Sequence, residues 1–266
     1  MNILEAIVRT KQQEVASRKA AVKISSFREE EYYHRTPLSL QSSVREHAPI
    51  GIIAEIKRAS PSGGIFRKNA EPVPIARDYE GQGAAGISVL TDGHYFSGSL
   101  LDLHNVRKAV DVPVLRKDFI IDEFQLHEAK AHGADAILLI ASILERNQIR
   151  DLFLAAREIG LEPLVELYEP PEIDILDLDV MRFIGINNRN LRTMQVDIRH
   201  SLEIVRQLPA GITLVSESGI SSPLDLQSLR KGGVHGALIG EYFMKSDHPG
   251  NALRNMLDSL NDESQG

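Results

Sequence analysis

From residue 50 onward the chain alternates short apolar runs with longer amphipathic stretches. The apolar runs fall at 50–56, 86–91, 112–116, 135–140, 161–166, 182–187, 212–216 and 236–240. Each is strand-length and is bounded by Gly, Pro or charged residues, which reads as a strand buried on both faces. The stretches 72–83, 99–109, 122–132, 145–159, 169–178, 197–207, 222–231 and 249–260 carry apolar residues at helical spacing. Strands alternating with helices predict a parallel sheet with helical crossovers. Eight such units within 266 residues predict a closed α/β fold, the (β/α)8 TIM barrel, which typically takes about 250 residues. An open doubly wound sheet is the alternative, but no Gly-x-Gly-x-x-Gly turn follows the first strand.

The first 48 residues do not share this rhythm. Ile3, Leu4, Ile7, Val8 and Val15 predict an amphipathic helix over 2–20, and a polar segment with room for one more short helix runs on to Ala48. The reading is one domain, 1–266, with 1–48 as an N-terminal helical extension and 49–260 as the barrel. Local punctuation agrees. Gly83-Ala84-Ala85-Gly86 and Gly133-Ala134-Asp135 close helices and open strands, and Ser221-Ser222-Pro223 reads as an N-cap with proline in the first turn.

Composition narrows the function. Acidic residues outnumber basic ones, 37 to 30, for a net charge of -7, which argues against a nucleic-acid surface. No apolar run is long enough to span a membrane, and the charged first 25 residues do not read as a secretory signal. The absence of cysteine removes disulfides and thiolate chemistry and fits a cytoplasmic protein. The histidines show no metal-site spacing, so no metal is expected. The partners expected are small molecules, with a monomer or weak homo-oligomer as the assembly.

In a TIM barrel the chemistry collects at the strand C-terminal ends. Those ends carry Glu55 and Lys57, then Arg116-Lys117-Asp118, Glu166, Asn187-Asn188-Arg189, Ser216-Glu217-Ser218-Gly219 and Gly240-Glu241, whereas the opposite ends are small or aliphatic. Glu55 and Lys57 are two apart and face one side of a strand. Lys117 and Glu166 are the candidate acid and base; an ammonium can donate a proton to a ketone oxygen, and apolar neighbours push a carboxyl toward a useful range. Ser218-Gly219 and Gly240-Glu241 end the last two strands, whose loops often bind phosphate, with Lys57 and Ser60 adjacent in a closed barrel. Ile87, Leu138 and Phe119 are candidate apolar walls.

Four ordered motifs carry a resemblance. These are Glu-Ile-Lys-Arg-Ala-Ser-Pro-Ser at 55–62, Leu-Arg-Lys-Asp-Phe-Ile-Ile-Asp at 115–122, Gly-Ile-Asn-Asn-Arg at 185–189 and Ser-Glu-Ser-Gly-Ile at 216–220. From about residue 3 to 258 the chain resembles the indole-3-glycerol-phosphate synthase family of tryptophan biosynthesis. The resemblance implies a carboxy-lyase that needs no cofactor or metal. It closes the ring of 1-(2-carboxyphenylamino)-1-deoxyribulose 5-phosphate, an anionic phosphosugar, with loss of carbon dioxide and water. It also implies an N-terminal helix across the barrel mouth. Lys117 would be the general acid and Glu166 the base of the dehydration. Lys57 would bind the substrate carboxylate and assist proton transfer. Glu55, Asn187 and Glu217 would orient lysines and hydroxyls. Arg189 and Ser218 would complete the lining, and Ser60, Gly219, Gly240 and the Glu241 backbone would hold phosphate.

Asn190 stands where the family usually has Asp, and Ser97 where Gln is common; neither carries a proton-transfer role. Three rivals remain: a Schiff-base aldolase using a neutral lysine, a related ketose-forming isomerase, and a barrel that only binds phosphate.

Overall fold

The computed structural model describes residues 3–190 and 193–262. Eight parallel strands close on themselves in chain order, the last pairing with the first. They are β1 (Gly51–Ile56), β2 (Gly86–Leu90), β3 (Val114–Lys117), β4 (Ala136–Ile140), β5 (Glu162–Leu167), β6 (Phe183–Asn187), β7 (Thr213–Glu217) and β8 (Gly236–Ile239). Each expected apolar run overlaps one of these strands, and seven of the eight amphipathic stretches overlap α-helices.

Strand alternation divides the apolar residues into two layers. Ile53, Leu115, Leu138, Leu164, Val215 and Leu238 fill the barrel. Ile52, Ile87, Ile137, Val165 and Ile184 face outward and pack under the helices. Ile87, a candidate wall of the site, thus belongs to the outer layer.

The extension supplies both ends of the barrel. Helix α1 (Ile3–Ala21) lies at the C-terminal mouth, where Ile3, Leu4 and Ile7 line the cavity. The polar segment after it holds three short turns rather than one: Ile24–Phe27, the 3-10 turn Glu31–His34, and α2 (Leu40–Glu46). Helix α2 plugs the opposite end. Its Leu40 and Val44 are fully buried among the interior residues, worth roughly 1.5–3 kcal/mol each. Space for them comes from glycine at the starts of three strands. A Cβ on Gly51 would stand 2.5 Å from Val44 O, one on Gly236 would stand 2.5 Å from Val44 Cγ1, and one on Gly86 would overlap Leu40. Glu162 at the start of β5 accepts from the Ser39 hydroxyl (2.9 Å) and the Gln41 amide N–H (2.7 Å), fixing the plug.

The stretch 169–178 is the exception among the predicted helices. Pro170 and Pro171 remove two donors at its start, and only a 3-10 turn, Pro170–Ile175, forms. Two further elements follow strand ends. Ala59–Ser60 pairs with Gly64–Ile65 as a small hairpin after β1, and the short helix Glu241–Lys245 starts directly after β8. Among the described residues no helix is long and apolar enough to cross a membrane.

Candidate active site

A cavity of about 860 Å³ occupies the mouth formed by the strand C-terminal ends. Leu138 and Ile140 form its floor, and α1 forms part of its wall. Phe96 and Phe119, with ring centroids 6.1 Å apart, give it an aromatic side.

The inward positions at the tops of β1, β3, β5 and β7 carry opposite charges that converge. Lys117 Nζ lies 3.2 Å from Glu166 Oε2 and 3.3 Å from Glu217 Oε2. Lys57 Nζ lies 2.7 Å from Glu55 Oε1. Asn187 at the end of β6 donates its side-chain N–H to Glu166 Oε1 (3.1 Å) and accepts from the Arg189 backbone N–H (2.9 Å). Glu55, Glu166 and Glu217 are all at most 5% exposed, so each carboxylate depends on the lysines for compensation.

The protonation pattern follows from this packing. Burial works against the charge on Lys117, but Glu166, Glu217 and Glu55 outweigh it and raise its pKa, so it is an ammonium. At Glu55 burial is likewise outweighed, by Lys57 and then Lys117, and the carboxyl pKa is lowered. Glu217 goes the other way: burial, opposed by Lys117 and reinforced by Glu166, pushes it up to about 8. Its Oε1 is buried without a hydrogen-bond partner. A protonated Glu217 leaves two lysines facing two carboxylates, Glu55 and Glu166, a balanced cluster before substrate arrives.

A second network lies behind the site and was not anticipated. Lys11 of α1, 1% exposed, places Nζ 3.0 Å from Asp92, 3.0 Å from Asp118 and 2.8 Å from Glu14. Asp118 also accepts from Thr91 (2.6 Å) and Arg116 (2.9 Å), and Arg116 reaches Glu128 at 2.9 Å. Asp118 follows Lys117 directly, and Thr91 N–H donates to Lys117 O (3.1 Å), so the network holds the backbone that carries the site lysine.

The whole described barrel fits one set of relatives. The family model described as indole-3-glycerol phosphate synthase matches residues 4–256. The chain belongs to the indole-3-glycerol phosphate synthase family. Curated relatives bearing that name include one from Salinibacter ruber, 46% identical over 255 residues, covering 95% of this chain and 94% of its own. Another, from Bacteroides thetaiotaomicron, is 44% identical over 261 residues, covering 97% of this chain and 99% of its own. A third, from Carboxydothermus hydrogenoformans, is 44% identical over 261 residues, covering 96% and 99%.

All twelve site residues expected from the sequence line this same cavity: Glu55, Lys57, Ser60, Lys117, Glu166, Asn187, Arg189, Glu217, Ser218, Gly219, Gly240 and Glu241. Several have internal partners. Ser60 Oγ accepts the Gly63 N–H (3.0 Å) and shapes the hairpin after β1. Arg189 Nη2 stands 3.4 Å from Glu241 Oε2, and Lys245 Nζ 2.7 Å from Glu241 Oε1. Ser218 and Gly219 both have positive φ, 69° and 80°. A serine in that region stores strain of order 1–3 kcal/mol, a feature concentrated at functional sites. Asn188 secures it by donating to Ser218 O (3.0 Å) and Ser216 Oγ (2.9 Å).

At the two departures from family usage, the Ser97 carbonyl accepts from Arg58 (3.0 Å), whose guanidinium also grips Asp102, and Asn190 O accepts the Met194 N–H (2.7 Å). Lys11, Phe96 and Lys245 were missed. Lys11 left a signal: it falls four residues from Ile7 and four from Val15, on the buried stripe of α1.

Proposed function

We propose that Lys117 is the proton donor of the ring-closing step of indole-3-glycerol phosphate formation, with the two lysines and three carboxyls of the mouth acting on one bound phosphosugar. Tryptophan biosynthesis is the pathway to which the family activity belongs. The observation that carries the assignment is the bracketing of Lys117 Nζ by Glu166 and Glu217 at 3.2 and 3.3 Å, beneath an open, partly apolar cavity.

In the first step the ring carbon bearing the carboxylate attacks the ketone carbon of 1-(2-carboxyphenylamino)-1-deoxyribulose 5-phosphate. A carbon–carbon bond forms, the carbonyl π electrons move to oxygen, and Lys117 supplies the proton. The carbon–carboxylate bond then breaks, carbon dioxide leaves, and its bonding electrons restore the aromatic ring. In the second half Glu166 removes a carbon-bound proton while Lys57 protonates the departing hydroxyl, releasing water. Positioned proton transfer of this kind contributes about 10²–10⁴-fold. Glu55 pairs with Lys57 and fixes its direction, Asn187 orients Glu166, and Glu217 orients Lys117 and the substrate hydroxyls. Lys57 and Arg189 attract the substrate carboxylate. Ser60, Ser218, Gly219, Gly240 and the Glu241 backbone take the phosphate. Phe96, Phe119 and Leu138 offer apolar walls for the aromatic ring.

A Schiff-base aldolase would need a neutral lysine amine. The carboxylates around Lys117 favour the opposite form. Purified protein mixed with the carboxyphenylamino ketose phosphate should develop indole fluorescence. No fluorescence from folded protein, or a borohydride-trapped adduct on Lys117, would overturn the assignment.

A further inference from the structure

Gly185 lies in the middle of β6, level with Glu166 on β5 and two residues before Asn187, which is level with Glu217 on β7. A mid-strand glycine weakens a strand, because it has no side chain to pack and loses more chain entropy on folding. Gly185 is not among the glycines with positive φ, so backbone conformation does not require it. Space does. A Cβ built there would overlap Glu217 Oε1, stand 3.3 Å from Glu217 Cδ and touch Leu164 Cδ1 at an ordinary 3.6 Å. The Glu217 carboxyl therefore leans across from β7 and occupies the volume that any side chain at 185 would fill. The oxygen in that volume is the one without a hydrogen-bond partner, in a residue 1% exposed.

We propose that Gly185 is a positioning residue: its missing side chain is the seat of the Glu217 carboxyl and fixes that group's direction and burial beside Lys117. The groups facing Glu217 are Lys117 on β3, Glu166 on β5 and Glu55 on β1, with Lys57 behind Glu55. A methyl at 185 pushes Oε1 out of its seat toward the wet cavity. Burial is the largest cause of the raised Glu217 pKa, so the displaced carboxyl ionises at lower pH and adds a negative charge to the cluster. The same device recurs within the site. A Cβ on Gly240 would stand 2.5 Å from Glu55 Oε1, so the glycine at the end of β8 seats the Glu55 carboxyl as well as bordering the expected phosphate site.

The inference rests on the proposed role of Glu217 for its effect on rate, but not for the seat itself. A thermal-unfolding cycle of Gly185→Ala, Glu217→Ala and the double variant reads the seat alone. The expected result is a clear loss of Tm for Gly185→Ala in the unaltered chain and no further loss in the Glu217→Ala background, where the new methyl no longer meets the carboxyl and touches Leu164 at an ordinary 3.6 Å. Equal losses in both backgrounds would overturn the proposal. If Gly185→Ala does not fold, recovery of folding by adding Glu217→Ala supports the seat, and failure of both overturns it. Folded Gly185→Ala should also lose at least tenfold in kcat/KM and shift the limb of its pH–rate profile near pH 8 downward. An unshifted profile with the parent rate would overturn the catalytic consequence while leaving the family activity untouched.

Discussion

Replacing Lys11 by methionine removes one buried ammonium while keeping the side-chain length. In the parent chain that ammonium lies 3.0 Å from both Asp92 and Asp118 and ties α1 to the ends of β2 and β3. Burial opposes its charge, yet Asp118 and Asp92 raise its pKa, so the group is charged throughout the ordinary range. Without it, Asp118 retains Arg116 and Thr91, but among the described residues Asp92 keeps only the Tyr95 backbone N–H at 2.7 Å. Breaking a buried pair by removing one partner typically costs about 3–5 kcal/mol. The surviving partners of Asp118 put the expected loss at the lower end, near 3 kcal/mol, or roughly 6–12 °C in Tm for a chain of this size. Circular-dichroism melts at neutral pH read this directly. Adding Asp92→Asn should recover part of the loss, because an amide tolerates burial better than an unpaired carboxylate. A Tm change below about 3 °C for Lys11→Met, near 1 kcal/mol, would show that the buried ammonium does not tie α1 to the barrel, as would a double variant less stable than the single one.

Three further outcomes are expected. Lys117→Ala should lower kcat by about 10²–10⁴-fold with the far-ultraviolet spectrum unchanged; near-parental turnover would remove Lys117 from the chemistry. Lys57→Met removes a positive charge facing the cavity and should weaken substrate binding by roughly tenfold or more, given about 1.5–3 kcal/mol for a hydrogen bond to a charged group; unchanged affinity in a direct titration would move the anion elsewhere. Glu217→Gln should alter the pH dependence of stability. A carboxyl that holds its proton up to about 8 in the folded state, against 4.5 as the ordinary value, makes the folded form bind more protons than the unfolded one in that window. Its contribution is therefore fully present below the ordinary value and is lost as pH rises toward 8. Melts of Glu217→Gln should lack that decline relative to the parent, and parallel Tm–pH curves would contradict the raised pKa.

Much of the architecture was legible because a two-sided buried strand announces itself as a short apolar run. The run at 135–140 and the Gly133 break before it led to β4 within one residue at its start. That the candidate site residues meet in one cavity was legible for a related reason: charges at the ends of such runs have no packing purpose. Segment 21–48 was harder to read. Leu40 and Val44 sit among scattered apolar positions in a polar stretch, and their importance arises from glycines at strand starts, two of which, Gly86 and Gly236, are far away in sequence. Pro170-Pro171 defeated helical periodicity by local sterics. The state of Glu217 was out of reach, because it depends on a diagonal neighbour across the β6–β7 stagger rather than on the Glu217 segment itself.

In the proposed mechanism the lysine at the end of β3 is a stored proton, held by carboxyl groups from three other strands. Nitrogen-15 NMR of lysine-labelled protein, with Lys117→Gln assigning the signal, follows its Nζ through alkaline titration. The expected result is an ammonium resonance that persists past pH 10.5, the ordinary lysine value, after exposed lysines have begun to lose their protons. A Lys117 signal that turns to neutral amine below that value would contradict the claim.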